Sequence, residues 1–315
     1  MGFEIQMPCI DFTKHPEDLV EGSEGWKNLC KLVREGGEVY GGFQVVYDKI
    51  PVELHEKMFQ GSKSLFDLPL ETKQKSSDDS KSHNGYAGKF KFAPLYESLT
   101  LPNPHNLEEV QAFTDTMWPK GNQSFCETVN NTSKMMTELE QIIRKMIFQS
   151  YGADTNCDSL VKDSWNIFRF TQYKAPTGKE MEVGLPAHVD KNLLTILYQN
   201  EEGLQIETKE GEWLPAVVKD CTFTVFVGEA FKTWSNGKLH AVEHQVMMKG
   251  PQKDRYSYGL FSIPNESPKE RDEDDLPLLF CRLDHHDYDL FTYTNNTSAL
   301  CCNCGKMCMP SLCYH

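Results

Sequence analysis

The sequence predicts a mainly β protein with helices, in which a β sandwich or barrel forms the core. Between residues 165 and 264 the chain is built from short runs rich in Val, Ile, Phe, Thr and Tyr, which Gly, Asn, Asp and Lys turns separate. Evenly spaced short strands without intervening helices are typical of such cores. The predicted strands are 165–170, 193–198, 204–208, 222–227 and 256–263.

The first half of the chain predicts a smaller α/β region and a long helix. Apolar residues at helical spacing predict the helices, which we place at 25–35, from Pro51 to Asp67 and at 124–151, with a strand at 42–46. Residues 73–92 lack an apolar period, so we predict a surface loop there that ends at Gly85-Tyr-Ala-Gly and has the length of a lid. The methionines of the long helix are interpreted as core residues.

Charge and composition exclude several functional classes. The 315 residues carry a formal net charge of −14, which repels phosphate backbones and anionic lipid surfaces. We therefore expect no nucleic-acid and no membrane partner. The chain shows neither a secretory signal pattern nor a run of about 18 apolar residues, and we expect a cytoplasmic monomer. An anionic ligand would need a local cationic anchor.

The eleven cysteines fall into two groups. Six are scattered, as buried thiols of a reducing compartment would be. The other five lie in the last fifteen residues, at Cys301, Cys302, Cys304, Cys308 and Cys313. Their spacing is not a paired C-x-x-C arrangement, so we prefer an unstructured, oxidation-prone terminus to a zinc site.

His188 and Asp190 are the first candidates for chemistry. Two residues at i and i+2 point to the same face of a strand, so both side chains reach one metal. His244, several predicted strands downstream, is the natural third ligand. Two histidines and one carboxylate form the facial triad of non-haem Fe(II) oxygenases. Each part alone is weak evidence, because a lone His-x-Asp occurs by chance.

A cationic anchor follows the candidate ligands at Arg255. Ser257 shares its strand face, so one strand offers a guanidinium fork and a hydroxyl to a carboxylate. Tyr173, upstream of the first ligand, adds a phenolic hydrogen bond. The competing interpretation of Arg255 is a surface ion pair of little energetic value.

The order Tyr173, His188-x-Asp190, Ser235-Asn-Gly, His244 and Arg255-x-Ser257 resembles the plant 2-oxoglutarate/Fe(II)-dependent dioxygenases. The resemblance covers roughly residues 5–290 and rests on several independent motifs. Segments 187–200, 234–240 and 256–264 are similar to the AOP-like branch, which is named for glucosinolate side-chain oxidation and contains enzymes of other specialised pathways. The branch leaves the substrate open.

The resemblance implies a double-stranded β-helix, a jelly-roll and cupin-like core flanked by helices. It divides the chain into an N-terminal α/β region (1–110), a helical segment that supports the core (111–160), the catalytic jelly roll (161–290) and an atypical Cys-rich tail (291–315). Relatives often carry Asn where this chain has Thr171, so one hydrogen bond near the co-substrate differs.

The resemblance also implies cofactors and chemistry. Fe(II) would be held by His188, Asp190 and His244, and the co-substrate 2-oxoglutarate by Arg255, Ser257 and Tyr173. O2 would oxidise a small-molecule plant specialised metabolite with release of succinate and CO2, and ascorbate would serve as reductant. The expected outcome is hydroxylation, with demethylation, desaturation and ring closure as the other outcomes of this family.

Two aromatic residues are predicted to line the substrate site. Phe261 lies four residues beyond Ser257, which places it on the same strand face. Tyr96 lies in the segment that follows the predicted lid. An ordinary core position is the competing interpretation of Phe261.

Two other functions remain open at this point. One is a catalytically silent jelly-roll protein that binds a small molecule, against which the complete triad and anchor argue. The other is a zinc hydrolase that uses the same three ligands, which an oxygen requirement would exclude.

Overall fold

The computed structural model describes residues 6–77, 85–153, 164–178, 180–250 and 253–264. The Cys-rich tail and residues 265–290 lie outside these ranges, so the predictions made for them stay predictions, as does the division of the chain into four regions. The strands are β1 (Cys9–Asp11), β2 (Gly42–Val46), β3 (Gly85–Phe90), β4 (Ala93–Pro102), β5 (Ser164–Tyr173), β6 (Met181–His188), β7 (Leu194–Gln199), β8 (Leu204–Glu207), β9 (Trp213–Pro215), β10 (Thr222–Val227), β11 (His244–Lys249) and β12 (Arg255–Pro264). The helices are α1 (Glu24–Glu35), α2 (Val52–Phe66), α3 (Leu70–Gln74), α4 (Leu107–Met117), α5 (Gln123–Ser150) and α6 (Glu229–Trp234).

The strands form two sheets. The major sheet has eight strands in the order β1-β2-β10-β7-β12-β5-β4-β3, and the minor sheet has four in the order β6-β11-β8-β9. Strands that are consecutive in the chain alternate between the sheets, as β6, β7 and β8 do, which is the winding of a double-stranded β-helix. The predicted jelly-roll core is thus confirmed.

The two faces of the major sheet have different chemistry. On β5, Phe168 and Phe170 belong to the large apolar core that α1, α2 and α5 complete. Arg169, Thr171 and Tyr173 alternate with them and point to the opposite face. The helices therefore cover one face of the sheet, and a row of polar side chains is left on the face toward the minor sheet.

Most predicted elements are confirmed with bounds shifted by one or two residues. The predicted loop 73–92 is wrong at residues 73–74, which belong to α3, and at Gly85–Phe90, which forms β3 and pairs with β4. Residues 78–84 lie outside the described ranges. The strands are also not free of intervening helix, since α6 lies between β10 and β11. In the described part of the chain, no helix is both long and apolar enough to cross a membrane.

Candidate active site

A cavity of about 600 Å³, counting its solvent-open part, lies between the two sheets. Every site residue predicted from the sequence lines it. Those residues are Tyr96, Tyr173, His188, Asp190, His244, Arg255, Ser257 and Phe261.

The two histidines face each other across the minor sheet. His188 is the last residue of β6 and His244 the first residue of β11, and the antiparallel register pairs them directly. The prediction that Asp190 lies on the same strand as His188 is wrong, because Asp190 lies two residues beyond the end of β6. The turn after β6 brings its carboxylate back to the histidines.

Distances within the triad fit a shared metal ion. Asp190 Oδ1 lies 3.8 Å from His188 Nε2 and 3.9 Å from His244 Nε2. One ligand atom from each of the three residues lies within 4.8 Å of the others. Two donors that each bind an ion at about 2.1 Å are at most about 4.2 Å apart, so the distance from Asp190 Oδ1 to each imidazole Nε2 allows that pair to share an ion.

Backbone carbonyls fix the tautomer of both imidazoles. His188 Nδ1 lies 2.9 Å from the carbonyl oxygen of Pro186, and His244 Nδ1 lies 3.3 Å from that of Val242. Each Nδ1–H therefore donates to the backbone, which leaves the Nε2 lone pair for a metal. Phe226 stacks on the His244 ring at a centroid distance of 4.4 Å and holds its plane.

The protonation state of His188 favours metal binding. Burial, together with the neighbouring His244, lowers the pKa of His188 to about 4. Neutral imidazole is the form that binds a metal. This ligand is therefore already deprotonated at neutral pH.

The Asp190 carboxylate is held from the major sheet. Thr195, on β7, donates its hydroxyl to Asp190 Oδ2 and accepts a hydrogen bond of 2.8 Å from Asn192 Nδ2. The start of α6 also holds this turn, since the Glu229 amide donates to the Asp190 carbonyl at 2.8 Å. Gly228 permits this contact, because a Cβ there would lie 2.1 Å from the Asn192 carbonyl oxygen.

Arg255 is buried at the far end of the same cavity. Its Nη2 donates to Gln199 Oε1 at 2.5 Å, and its Nε donates to the Glu201 carbonyl at 3.2 Å. Burial lowers the pKa of Arg255, but a guanidinium is not deprotonated in proteins. Burial raises the pKa of Tyr173, whose ring centroid lies 4.9 Å from the Arg255 carbon Cζ. A cation and a neutral phenol thus lie together.

Two hydrogen-bond donors, one on Arg255 and one on the neighbouring Gln199, are buried without an acceptor in the described part of the chain. Within the described residues, Arg255 Nη1 and Gln199 Nε2 are buried and have no hydrogen-bond partner. A buried donor without a partner costs about 1–3 kcal/mol. A carboxylate would satisfy both groups, so the residues present fit the distal carboxylate of 2-oxoglutarate.

Cross-strand register explains how these residues come together. Arg255 of β12 pairs with Tyr173 of β5, and Tyr173 pairs with Tyr96 of β4. In the next row on the same face, Ser257 pairs with Thr171. The row of hydroxyl side chains therefore lies directly beside the anchor.

Sequence reasoning missed several residues that line the cavity or contact its lining residues. Thr195 and Gln199 were missed because they act through Asp190 and Arg255, and no spacing motif marks such contacts. Arg169 had a usable signal, since it precedes Thr171 and Tyr173 at alternating positions on one strand. The apolar part of the lining consists of Leu185, Leu197, Leu204 and Val246.

Comparison with known proteins decides the family. The model of the 2OG-Fe(II) oxygenase superfamily matches residues 162–264, and that of the non-haem dioxygenase N-terminal region matches residues 7–120. An Arabidopsis thaliana protein named "Probable 2-oxoglutarate-dependent dioxygenase AOP1" is 35% identical over 301 residues, which cover 92% of this chain and 97% of the relative. The chain belongs to the 2-oxoglutarate/Fe(II)-dependent oxygenase superfamily.

Solved structures of similar fold support the assignment of this dioxygenase to the superfamily. The dioxygenase for auxin oxidation 1 of Arabidopsis thaliana, in complex with 2-oxoglutarate, matches with a TM-score of 0.73 and 26% identity over 85% of this chain and 95% of that chain. The rice dioxygenase for auxin oxidation matches with a TM-score of 0.71 and 25% identity over 90% of this chain and 93% of that chain. The predicted AOP-like dioxygenase is confirmed at the level of family and reaction class.

Proposed function

We propose that this dioxygenase hydroxylates a small plant specialised metabolite, with conversion of 2-oxoglutarate and O2 to succinate and CO2 and with ascorbate as reductant. One observation carries the proposal. A three-residue metal site and a buried guanidinium with an unpartnered Nη1 line the same cavity. The two features match the two ends of 2-oxoglutarate.

Three side chains supply the metal site of the proposal. His188 and His244 would bind Fe(II) through Nε2, and Asp190 would bind it through Oδ1, the oxygen that faces both imidazoles. Bound Fe(II) supplies the activation of O2 that couples decarboxylation of 2-oxoglutarate to oxidation of the substrate. Three protein ligands leave the remaining coordination positions open for co-substrate and O2.

The anchor residues would fix the orientation of 2-oxoglutarate. Arg255 Nη1 and Gln199 Nε2 would donate to its distal carboxylate, and the Ser257 hydroxyl lies one row away on the same sheet face. The phenol of Tyr173 stays protonated because burial raises its pKa, so it acts as a hydrogen-bond donor. A co-substrate held at one end in this way points its keto acid end toward the metal ligands.

The rest of the lining would seat the substrate and exclude water. Leu185, Leu197 and Val246 present apolar surface to the cavity, and exclusion of water limits side reactions of reactive oxidants. Tyr96 and Phe261 add aromatic surface from β4 and β12. The cavity therefore suits a small molecule with an apolar body.

The test is coupled turnover with a panel of plant specialised metabolites. Protein loaded with Fe(II) under anaerobic conditions is mixed with 2-oxoglutarate, ascorbate and each metabolite, and succinate, O2 uptake and product mass are measured. We expect one compound to stimulate succinate formation with a gain of one oxygen atom in the product. The His188→Ala variant should be inactive, whereas His105→Ala, a change at an exposed histidine, should retain activity.

Two results would contradict the proposal. Binding of a metabolite without succinate formation would favour a silent binding protein. Product formation by zinc-loaded protein without O2 would favour a hydrolase.

A further inference from the structure

A glycine segment, residues 36–42, connects α1 to β2 and contains four glycines. Its first part, Gly36–Tyr40, is a π-helix, a rare form that is frequent at functional sites. Gly41 ends this helix in the left-handed conformation, with a φ of 69°, and Gly42 begins β2. All four glycines are buried, so the segment packs closely against its neighbours.

The main chain that leads into the metal ligand His244 packs on this segment. The His240 amide donates to the Gly37 carbonyl oxygen at 2.9 Å. A Cβ on Gly41 would lie 2.4 Å from the His240 carbonyl oxygen and 2.8 Å from the Val242 Cβ. Val242 supplies the carbonyl to which His244 Nδ1 donates. The backbone that orients this imidazole is therefore in direct contact with Gly41.

The aromatic ring that covers the same imidazole packs on the next glycine. Gly42 pairs with Phe226 across β2 and β10, and a Cβ on Gly42 would lie 3.0 Å from Phe226 Cδ1. Phe226 is fully buried, and its ring stacks on that of His244 at a centroid distance of 4.4 Å. A side chain at Gly42 would therefore displace the ring that holds the plane of His244.

The glycine segment is itself held from three directions. The hydroxyl of Tyr151, which follows α5, donates to Glu38 Oε1 at 2.7 Å. The ammonium group of Lys209, in the turn after β8, donates to the Glu38 carbonyl oxygen at 2.9 Å. The Val227 amide, at the end of β10, donates to the Gly41 carbonyl oxygen at 2.9 Å. These bonds resist movement of the segment away from His244.

The competing interpretation is that Gly41 only ends a helix, which is a common role of a left-handed glycine. Gly22 and Gly121 show what that role requires, because each has a φ of 84° and no atom within 4 Å of a Cβ placed there. Gly41 combines the same backbone conformation with contacts to the main chain before His244. Chain reversal alone does not require these contacts.

We propose that Gly41 and Gly42 are positioning residues for His244, so that the N-terminal α/β region sets the geometry of the metal site. Gly41 acts through the main chain of residues 240–242, and Gly42 acts through the Phe226 ring. Neither glycine touches the metal. The inference rests on the proposed function, since it takes His244 as a ligand of the iron.

The test measures metal binding rather than turnover. Gly41→Ala and Gly42→Ala are titrated with Mn²⁺ by calorimetry, and their visible absorption is recorded with saturating Co²⁺, whose spectrum reports the arrangement of its ligands. We expect the dissociation constant for Mn²⁺ to rise about tenfold or more in Gly41→Ala, as when a group that orients a metal ligand is lost. The Co²⁺ spectrum of both variants should differ from that of the wild type.

Two control variants separate positioning from loss of stability. Gly121→Ala introduces the same left-handed strain where no atom lies within 4 Å. Gly88→Ala crowds a glycine of the edge strand β3, where a Cβ would lie 2.8 Å from the Tyr86 hydroxyl oxygen. Both controls should lower the midpoint of thermal unfolding and keep the wild-type Mn²⁺ affinity and Co²⁺ spectrum.

A double variant tests whether the effect passes through His244. His244→Ala leaves a weaker site of two ligands, whose Mn²⁺ binding is followed by electron paramagnetic resonance at millimolar metal. Adding Gly41→Ala to this variant should leave its Mn²⁺ affinity unchanged, because the side chain that Gly41 positions is already gone. A further large loss of affinity would overturn the inference, since the glycine would then act on another ligand.

The remaining outcomes also decide. Wild-type Mn²⁺ affinity and an unchanged Co²⁺ spectrum in Gly41→Ala and Gly42→Ala would overturn the inference, as would equal changes in the two controls. If circular dichroism shows that Gly41→Ala does not fold, the Co²⁺ spectrum of Gly42→Ala decides. If wild-type protein binds neither Mn²⁺ nor Co²⁺, the proposed function itself fails, and the inference fails with it.

Discussion

The hydroxyl of Thr195 should control the affinity of the metal site although it is not a ligand. It donates to Asp190 Oδ2, while Oδ1 of the same carboxylate faces both histidines. Replacing Thr195 with Val removes the hydroxyl and keeps the shape of the side chain. The buried carboxylate then loses the hydrogen bond that sets its orientation.

The size of the effect follows from the charge on the acceptor. A hydrogen bond to an ionised group contributes about 1.5–3 kcal/mol, and loss of a partner that orients a metal ligand typically weakens metal binding by about 10–100-fold. We therefore expect the dissociation constant for Mn²⁺ to rise by about 10–100-fold in Thr195→Val. Thr195→Ser keeps a hydroxyl and should bind within a few-fold of the wild type.

Calorimetric titration with Mn²⁺ measures this change directly. Thr114→Val is the matched control, because Thr114 is also fully buried but its hydroxyl donates to the Val110 carbonyl within α4. It should lower the midpoint of thermal unfolding and leave metal affinity unchanged. The reasoning is refuted if Thr195→Val binds Mn²⁺ within threefold of the wild type, or if Thr195→Ser is as weak as Thr195→Val.

Three further predictions concern the anchor, pH and the turn that carries Asp190. Arg255→Gln should raise the KM for 2-oxoglutarate by about 30-fold or more, since breaking a buried charge pair costs about 2–5 kcal/mol. The affinity for Mn²⁺ without co-substrate should stay unchanged, and an unchanged KM would show that Arg255 is not the anchor. Burial lowers the pKa of His55 from 6.5 to about 4, so the folded state resists its protonation. The stability that this residue contributes is complete above pH 6.5 and is lost as pH falls toward 4, at up to about 1.4 kcal/mol per pH unit. Urea unfolding from pH 7 to 5 should show this slope in the wild type and a shallower one in His55→Phe, and identical slopes would contradict the assignment. Gly228→Ala should lower the free energy of unfolding by about 1–3 kcal/mol and weaken Mn²⁺ binding, because the added Cβ would displace the Asn192 backbone. Wild-type Mn²⁺ affinity in that variant would show that the turn accommodates the Cβ without moving Asp190.

Strand alternation explains why so much of the site could be predicted from the sequence. Arg255, Ser257 and Phe261 lie on one face of β12 because side chains alternate at a period of two, and the structure places all three in the cavity. His244 could be named as the third ligand, but its direct pairing with His188 is a matter of register between strands 56 positions apart. A single sequence does not contain that register.

The errors have physical causes as well. Gly85–Phe90 is a strand at the edge of the major sheet, where only Gly85 is fully buried and no apolar alternation is required. Asp190 was expected on a strand, but β6 ends at His188, and the turn is held by Thr195 and by the start of α6. Such contacts depend on tertiary packing, so local sequence patterns do not reveal them.

The hydrogen bond from Thr195 to Asp190 makes the metal site a connection between the two sheets. The histidines belong to β6 and β11 of the minor sheet, whereas the carboxylate is held by a residue of β7 in the major sheet. An ion bound by both histidines and Asp190 would link the two sheets. At a free concentration of 100 times its dissociation constant, the ion would add about 2.7 kcal/mol to the free energy of unfolding. On metal binding, amide hydrogen exchange should therefore slow most in β6 and β11, which the large helical core does not cover. The metal that activates oxygen would thus also stabilise the minor sheet.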